Sequence, residues 1–344
     1  MKLALALLVS DGYYVFSEYL KLSLIGVIFL VTPLILKEKI PIRLLIFFAV
    51  FLLVGIASCL ITESYINARY FISQTGLLLA CFSIYHFSQK GRLRISQIET
   101  FAKLFVIASL INYGGVVALG FDLFDNMLSS FAKPSTSRYA LETVFGYRIQ
   151  RLYFLSSEPS THAITVFIFY FILESSKRLT TLWKLMFFGS AVLTFSLTGL
   201  LLFAGHYLFN RNLGFSVVVA FIAFVSLLYG VDQFSTLVKF LQLSSDPRIQ
   251  QFAYARDLIH FYPVSLEAIN SQEQVILSLW LLVLVANGYV LGIAFLVLLL
   301  FAKTGVENKA WFILIFLVVP ISYFLAASLL WWKTSNEATH TIQR

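Results

Sequence analysis

Apolar runs of about 20 residues recur along this chain, separated by short loops that carry Lys and Arg, and this recurrence leaves few folds open. In lipid the backbone must satisfy its own N–H and C=O groups. A spanning segment is therefore a helix or a strand of a closed barrel. Barrel strands read as alternating segments of about 10 residues, and the runs here do not alternate. The expectation is an all-α, polytopic membrane bundle of about 10–12 segments. One membrane domain covers residues 1–344, with two larger periplasmic loops at 122–157 and 231–274. Composition agrees: 12% of residues are charged, against about 25% in a soluble domain.

The net charge of +8 sits largely in loops expected on the cytoplasmic side. It reads as orientation by the positive-inside rule and gives no reason to expect nucleic acid as a partner. Cys59 and Cys81 lie inside apolar runs and suit neither a disulfide framework nor a metal site. No phosphate-binding glycine loop and no metal-ligand spacing is present in the sequence, so neither metal nor cofactor is expected.

Met1–Ser10 begins like a signal peptide but lacks a small-residue cleavage site, and is read as a short first segment. Spans are expected over Tyr13–Leu36, Ile42–Ile61, Phe71–Phe87, Phe101–Leu119 and Ala163–Leu173. The loop Thr62–Arg69 falls outside, and the strongest inside signal is Lys90, Arg92 and Arg94. Leu182–Phe209 is apolar over 28 residues, too long for one span. Its middle, Thr194–Gly199, is polar and carries a glycine, which predicts a break between two short helices. Spans over Phe215–Gly230, Val275–Phe301 and Trp311–Trp332 complete the chain.

Two polar stretches carry candidate chemistry. The first is Arg148–Ala163, with Arg148, Arg151, Glu158 and His162 after the earlier Arg138. Arginine grips phosphate with a planar fork of donors and keeps its charge. Glu158 precedes Pro159, a first-turn residue, so its carboxylate either caps a helix or faces a substrate. His162 lies one turn on, at i+4 from Glu158, as a proton carrier or a structural histidine. The second stretch, Asp246–Pro263, reads as an amphipathic surface helix with Asp246 and Pro247 at its start. Arg248 and Arg256 lie about two turns apart there, suited to an elongated anionic group or to lipid headgroups, and His260 follows. His86 and His206 close apolar runs and are read as interfacial.

In their order and common sidedness, four segments resemble one family. "RLYFLSSEPSTHA" resembles the Arg…Ser-Glu-Pro-Ser stretch of polysaccharide polymerases. "LTFSLTGLLLF" resembles the Leu-Thr-x-Ser-Arg-Thr-Gly stretch shared by O-antigen polymerases and ligases. "DPRIQQFAYARDLIHFYP" resembles their second periplasmic loop, and "LVLVANGYVLGIAFLVLL" the helix after it. The family is that of the Wzy-type O-antigen polymerases. The resemblance implies a metal- and nucleotide-independent glycosyltransferase of the bacterial inner membrane, with its active site facing the periplasm. Such an enzyme transfers a glycan from undecaprenyl diphosphate to a lipid-linked repeat unit. Its partners are that oligosaccharide, membrane lipids and a chain-length regulator protein.

On this reading Arg148, Arg151, Arg248 and Arg256 bind pyrophosphate, and Glu158, His162 and His260 are the candidate catalytic residues. Leu197 departs from the pattern, standing where the family's helix-break arginine often sits. Ser271–Gln274 stands where ligases carry a histidine. The alternatives are an O-antigen ligase and a flippase for lipid-linked oligosaccharide. A transporter would place ionisable groups in mid-membrane, whereas the charges here cluster in loops.

Overall fold

The computed structural model describes residues 2–10, 13–15, 20–37, most of 49–63, 65–89, 93–120, 122–128, 133–134, 142–144, 147–156, 158–196, 199, 202–206 and scattered positions between 260 and 293. Helices dominate. In chain order they and the short strands are α1 (Lys2–Val9), β1 (Tyr13–Val15), β2 (Leu20–Lys21), α2 (Leu22–Lys37), α3 (Tyr65–Gln89), α4 (Ile95–Leu119), α5 (Leu123–Leu128), β3 (Lys133–Pro134), β4 (Glu142–Val144), β5 (Tyr147–Ile149), α6 (Pro159–Ser175) and α7 (Thr181–Val192). The helical expectation holds among the described residues. The strands of two or three residues were not expected: β1 and β2 fall at the start of the span expected over Tyr13–Leu36, and β3, β4 and β5 in the expected first loop.

Two expected boundaries shift. The span expected over Tyr13–Leu36 starts as helix only at Leu22, because Ser17, Glu18 and Lys21 interrupt the apolar run. The expected loop Thr62–Arg69 is largely the start of α3, with Glu63 in a left-handed turn (φ 47°) before it. The expected spans over Phe215–Gly230 and Trp311–Trp332 lie outside the described residues, as do most of Val275–Phe301 and most of the second loop.

Contacts divide the chain into two compact units: Met1–Asp11, Tyr19–Gln97 and Gln250–Arg344 form one, Gly12–Glu18 and Ile98–Ile249 the other. The sequence reading made no such division, since recurring apolar runs carry no signal of which runs pack together. In the first unit α2 packs on α1 and α3. Gly26 is a close approach there: a Cβ would meet the Leu8 backbone nitrogen at 2.7 Å. The Asn67 amide donates to the Val264 carbonyl at 2.8 Å, tying α3 to the chain just after His260.

The second unit holds the first-loop motif. Among the described residues, α4 is the one helix long and apolar enough to cross a membrane. It has two faces. Leu104, Ile111, Val117 and Leu119 are exposed, while Phe105, Val106, Ser109 and Asn112 are buried. On α7, Leu182, Leu185 and Phe188 likewise point outward, while Phe187, Ser190 and Ala191 point inward. Exposed large apolar stripes on these two helices suit a lipid-facing surface. The core between α4, α6 and α7 is aromatic. The Phe105 ring meets Phe169 at 5.8 Å and Phe154 at 5.1 Å, in edge-on geometry that the ring quadrupole favours.

A break interrupts Leu182–Phe209 where expected. Helix α7 ends at Val192, residues 193–195 turn, and residues 199 and 202–206 are helical again. Phe195 sits at φ 47° in that turn. Gly199 lies against Ala163 of α6, so close that a Cβ would collide with the Ala163 methyl. Two small residues thus allow the returning helix to touch α6. The polar, glycine-bearing centre both stops α7 and seats the returning helix.

Candidate active site at the helix break

A helix break inside an apolar layer frees backbone carbonyls that need donors. Three are supplied here by the first-loop motif. The Leu152 N–H donates to the Leu193 carbonyl at 3.1 Å. The Arg151 Nε–H donates to the Thr194 carbonyl at 2.8 Å, and its Nη2–H to the Phe195 carbonyl at 3.3 Å. Thr194 completes the turn: its hydroxyl donates to the Ala191 carbonyl at 2.6 Å and accepts from the Ser196 N–H at 3.2 Å. Residues more than 40 positions apart are therefore fastened by a guanidinium that also neutralises the negative end of α7. Arg151 was expected to hold pyrophosphate; at least two of its five donors are committed to backbone.

The chain next to Arg151 is sharply bent. Phe154 adopts φ 51°, unusual for a bulky residue. The Ser156 N–H closes the bend onto the Tyr153 carbonyl at 3.1 Å. Rings of Phe105, Phe124 and His162 pack around Phe154 and hold it there.

Glu158 is the N-cap residue of α6, in extended conformation (φ −141°, ψ 155°), with Pro159 following as the first helical residue. Its carboxylate makes no cap bond. Instead Oε2 accepts from the Ser160 hydroxyl at 3.0 Å, and the residue is exposed. The capping alternative is thus corrected: the backbone is spent on the helix, through its carbonyl accepting from the His162 N–H at 3.2 Å, and the side chain faces out. His162 has the opposite environment. It is fully buried, stacked on Phe105 at 5.2 Å, with Nε2 at 3.1 Å from the Ser190 hydroxyl.

Beside Arg151 lies a small cleft of about 20 Å³, room for one water-sized group. Ser109, Asn112, Tyr113 and Val116 of α4 form one wall; Asp122 and residues 150–154 form the rest. Asp122 is buried just before α5, and its carbonyl accepts from the Asn126 amide at 2.7 Å. The Tyr113 hydroxyl donates to the Gln150 carbonyl at 2.9 Å. Alcohol, amide, carboxylate and guanidinium groups thus meet around one small polar cleft. Sequence reasoning missed this wall. Its signal was present: Ser109, Asn112 and Tyr113 recur at i, i+3 and i+4 within an apolar span, a polar stripe on one helix face.

The Arg148 backbone pairs opposite Thr143 in the β4–β5 ladder, and its side chain lies outside the described residues. Arg138, Arg248 and Arg256 also lie outside them. His260 belongs to the other unit, where it is exposed and stacked on Tyr262 at 5.3 Å. Among the described residues no cluster of His, Cys, Asp or Glu is arranged to hold a metal ion.

The last turn of α6 holds a second polar cluster that the sequence did not suggest. Glu174 accepts from Lys184 Nζ at 2.7 Å and lies 2.6 Å from His206 Nε2. Glu99 pairs with Lys103 at 2.7 Å and with Arg178 at 3.9 Å. His206, read as interfacial, is buried among the rings of Phe167, Tyr170 and Phe171. Burial raises the Glu174 carboxyl, but hydrogen bonds from Lys184, His206 and Tyr170 outweigh it and hold the group below its ordinary range.

Comparison of the chain with protein-family models, curated proteins and solved structures finds no match.

Proposed function

We propose that this chain is a surface-polysaccharide polymerase of the bacterial inner membrane, a multi-pass helical bundle with its active site facing the periplasm. It transfers a glycan from undecaprenyl diphosphate to a lipid-linked repeat unit. The observation that carries the reading is the Arg151 dock: two separate stretches with the family's character, Arg151–Ala163 and Leu193–Phe203, are fastened at one point by hydrogen bonds to Thr194 and Phe195. A polar cleft lies beside that point, with the exposed Glu158 carboxylate a few residues along the chain.

The chemistry breaks the bond between the donor's anomeric carbon and the diphosphate oxygen. It forms a bond from that carbon to an acceptor hydroxyl, whose proton must go to a base. Glu158 is the candidate base, because its carboxylate is exposed and held by Ser160 rather than spent on the helix. The leaving diphosphate needs cations, and Arg148, Arg248 and Arg256 are the candidates the sequence offers beside Arg151. Arg151 lines the cleft beside the break.

The test is a glycan gel from a deletion strain, with and without the gene restored. A ladder collapsing to core plus one repeat supports polymerase. Lipid-linked polymer accumulating without attachment identifies a ligase. Single repeats trapped on the cytoplasmic face identify a flippase.

A further inference from the structure

Three buried side chains from three helices form one hydrogen-bond chain in the second unit. His162 of α6 meets Ser190 of α7 at 3.1 Å, and Ser190 meets Ser109 of α4 at 3.4 Å. Ser109 then donates to the Val106 carbonyl at 2.8 Å. All three residues are fully buried. The direction of this chain follows from counting protons. A serine hydroxyl has one proton to donate. That of Ser109 goes to the Val106 carbonyl, so Ser109 can only accept from Ser190. Ser190 can spend its proton on Ser109 and accept from His162, or turn it to His162 Nε2 at 3.1 Å, which would push the ring proton onto Nδ1. The first arrangement satisfies all three side chains in one chain and puts the imidazole proton on Nε2.

The other nitrogen agrees. His162 Nδ1 is buried with no hydrogen-bond partner. A buried N–H without an acceptor is rarer and costlier than a bare acceptor. A doubly protonated ring would add an unpaired charge among the Phe105 and Phe154 rings. The Nε2–H tautomer leaves only a lone pair unsatisfied.

We infer that His162 is a positioning residue whose Nε2–H, through Ser190 and Ser109, bolts the first turn of α6 to α7 and α4, and that it does not exchange a proton with substrate along this chain. Proton uptake through Ser190 would need a bare Nε2, and the resting chain puts the proton there. The bolt lies one turn from Glu158, whose carbonyl accepts the His162 N–H. It fixes where that carboxylate stands. Neither serine was suggested by the sequence, and the expectation of His162 as a proton carrier gives way to the structural alternative. The bolt itself stands without the proposed function; only its consequence for Glu158 rests on that reading.

The first measurement is ring-nitrogen NMR on the full-length protein in detergent micelles, labelled with ¹⁵N-histidine and with the His162 signal assigned by its loss in His162→Gln. A protonated Nε2 beside a bare Nδ1 is expected; a protonated Nδ1 or an imidazolium overturns the inference. The second compares variants by melting temperature and glycan chain length. The Gln side-chain amide places an N–H near the Nε2 position, whereas that of Asn stops near Nδ1. His162→Gln should keep both wild-type melting and long chains, while His162→Asn and Ser190→Ala should melt earlier and the double variant no earlier than either. Loss of long chains in a His162→Gln protein that melts normally would mean that the ring itself serves the substrate, and would overturn the positioning role. If the gene proves irrelevant to chain length altogether, the polymerase reading fails, and the tautomer and melting results still decide the bolt.

Discussion

The two ends of α6 handle charge in opposite ways. At its last turn Glu174 is surrounded by Lys184, His206 and Tyr170, and Glu99 gathers Lys103 and Arg178 nearby. Charge there is matched by charge, between neighbouring helices. At the first turn the Arg151 guanidinium serves backbone carbonyls of the helix break, and the Glu158 carboxylate stands exposed against a hydroxyl. A matched cluster holds helices together and has little left for a ligand. An exposed carboxylate held by a hydroxyl keeps its field for whatever enters. On the proposed reading, function sits at the first turn and stability at the last.

Substitutions can break or sharpen that contrast. Glu158→Gln should cost the most in activity, roughly 10²–10⁴-fold if the carboxylate is the base. Its melting temperature should match wild type, because the carboxylate makes no cap bond. A large drop in melting would move Glu158 into the structural class. Arg151→Ala should shorten glycan chains and also lower the melting temperature. It leaves the Thr194 and Phe195 carbonyls short of donors, at about 1–3 kcal/mol for each buried group. Arg151→Lys should recover only part of this, since a point-like ammonium cannot reproduce the planar fork. Wild-type melting in Arg151→Ala would show that the break holds itself.

Between the two ends, Gly199→Val should destabilise by about 1–3 kcal/mol through its clash with Ala163, read as reduced yield of folded protein. At the last turn, Glu174→Gln should lower melting by the equivalent of about 1–2 kcal/mol and leave chain length alone. Its effect has a pH signature. Glu174 is more acidic folded than unfolded, so its contribution is full above the ordinary carboxylate range and is lost as pH falls through the lower folded value. Melting curves of wild type and Glu174→Gln should therefore converge in acid. Lys103→Ala is the smallest change. It removes the Glu99 pair and a contact 5.0 Å from the Trp183 ring, together about 1 kcal/mol at a part-exposed site.

Much of the first-turn site was legible. Arg151, Glu158 and His162 stood out because ionisable residues are scarce in this composition. Thr194–Gly199 stood out because 28 apolar residues are too many for one span. The last-turn cluster was not legible. Glu174 and His206 lie 32 positions apart, and each alone looks like an ordinary interfacial residue. Their pairing depends on how the helix after the break returns along α6, which Gly199 permits but no periodicity announces. The α4 wall was half legible: Ser109, Asn112 and Tyr113 share a face, yet only packing turns that face toward Arg151.

The sequence by itself determined the helical character, the place of the break and which residues carry charge. Those follow from local chemistry: hydropathy over a run of residues, the preferences of glycine and proline, and the cost of polar groups in an apolar layer. Tertiary structure alone decided what the charges do. Arg151 became a donor to a distant carbonyl, Glu158 an exposed carboxylate and His162 a buried strut, because a side chain's role is set by the partners folding brings within 3 Å or so, and those partners come from other helices.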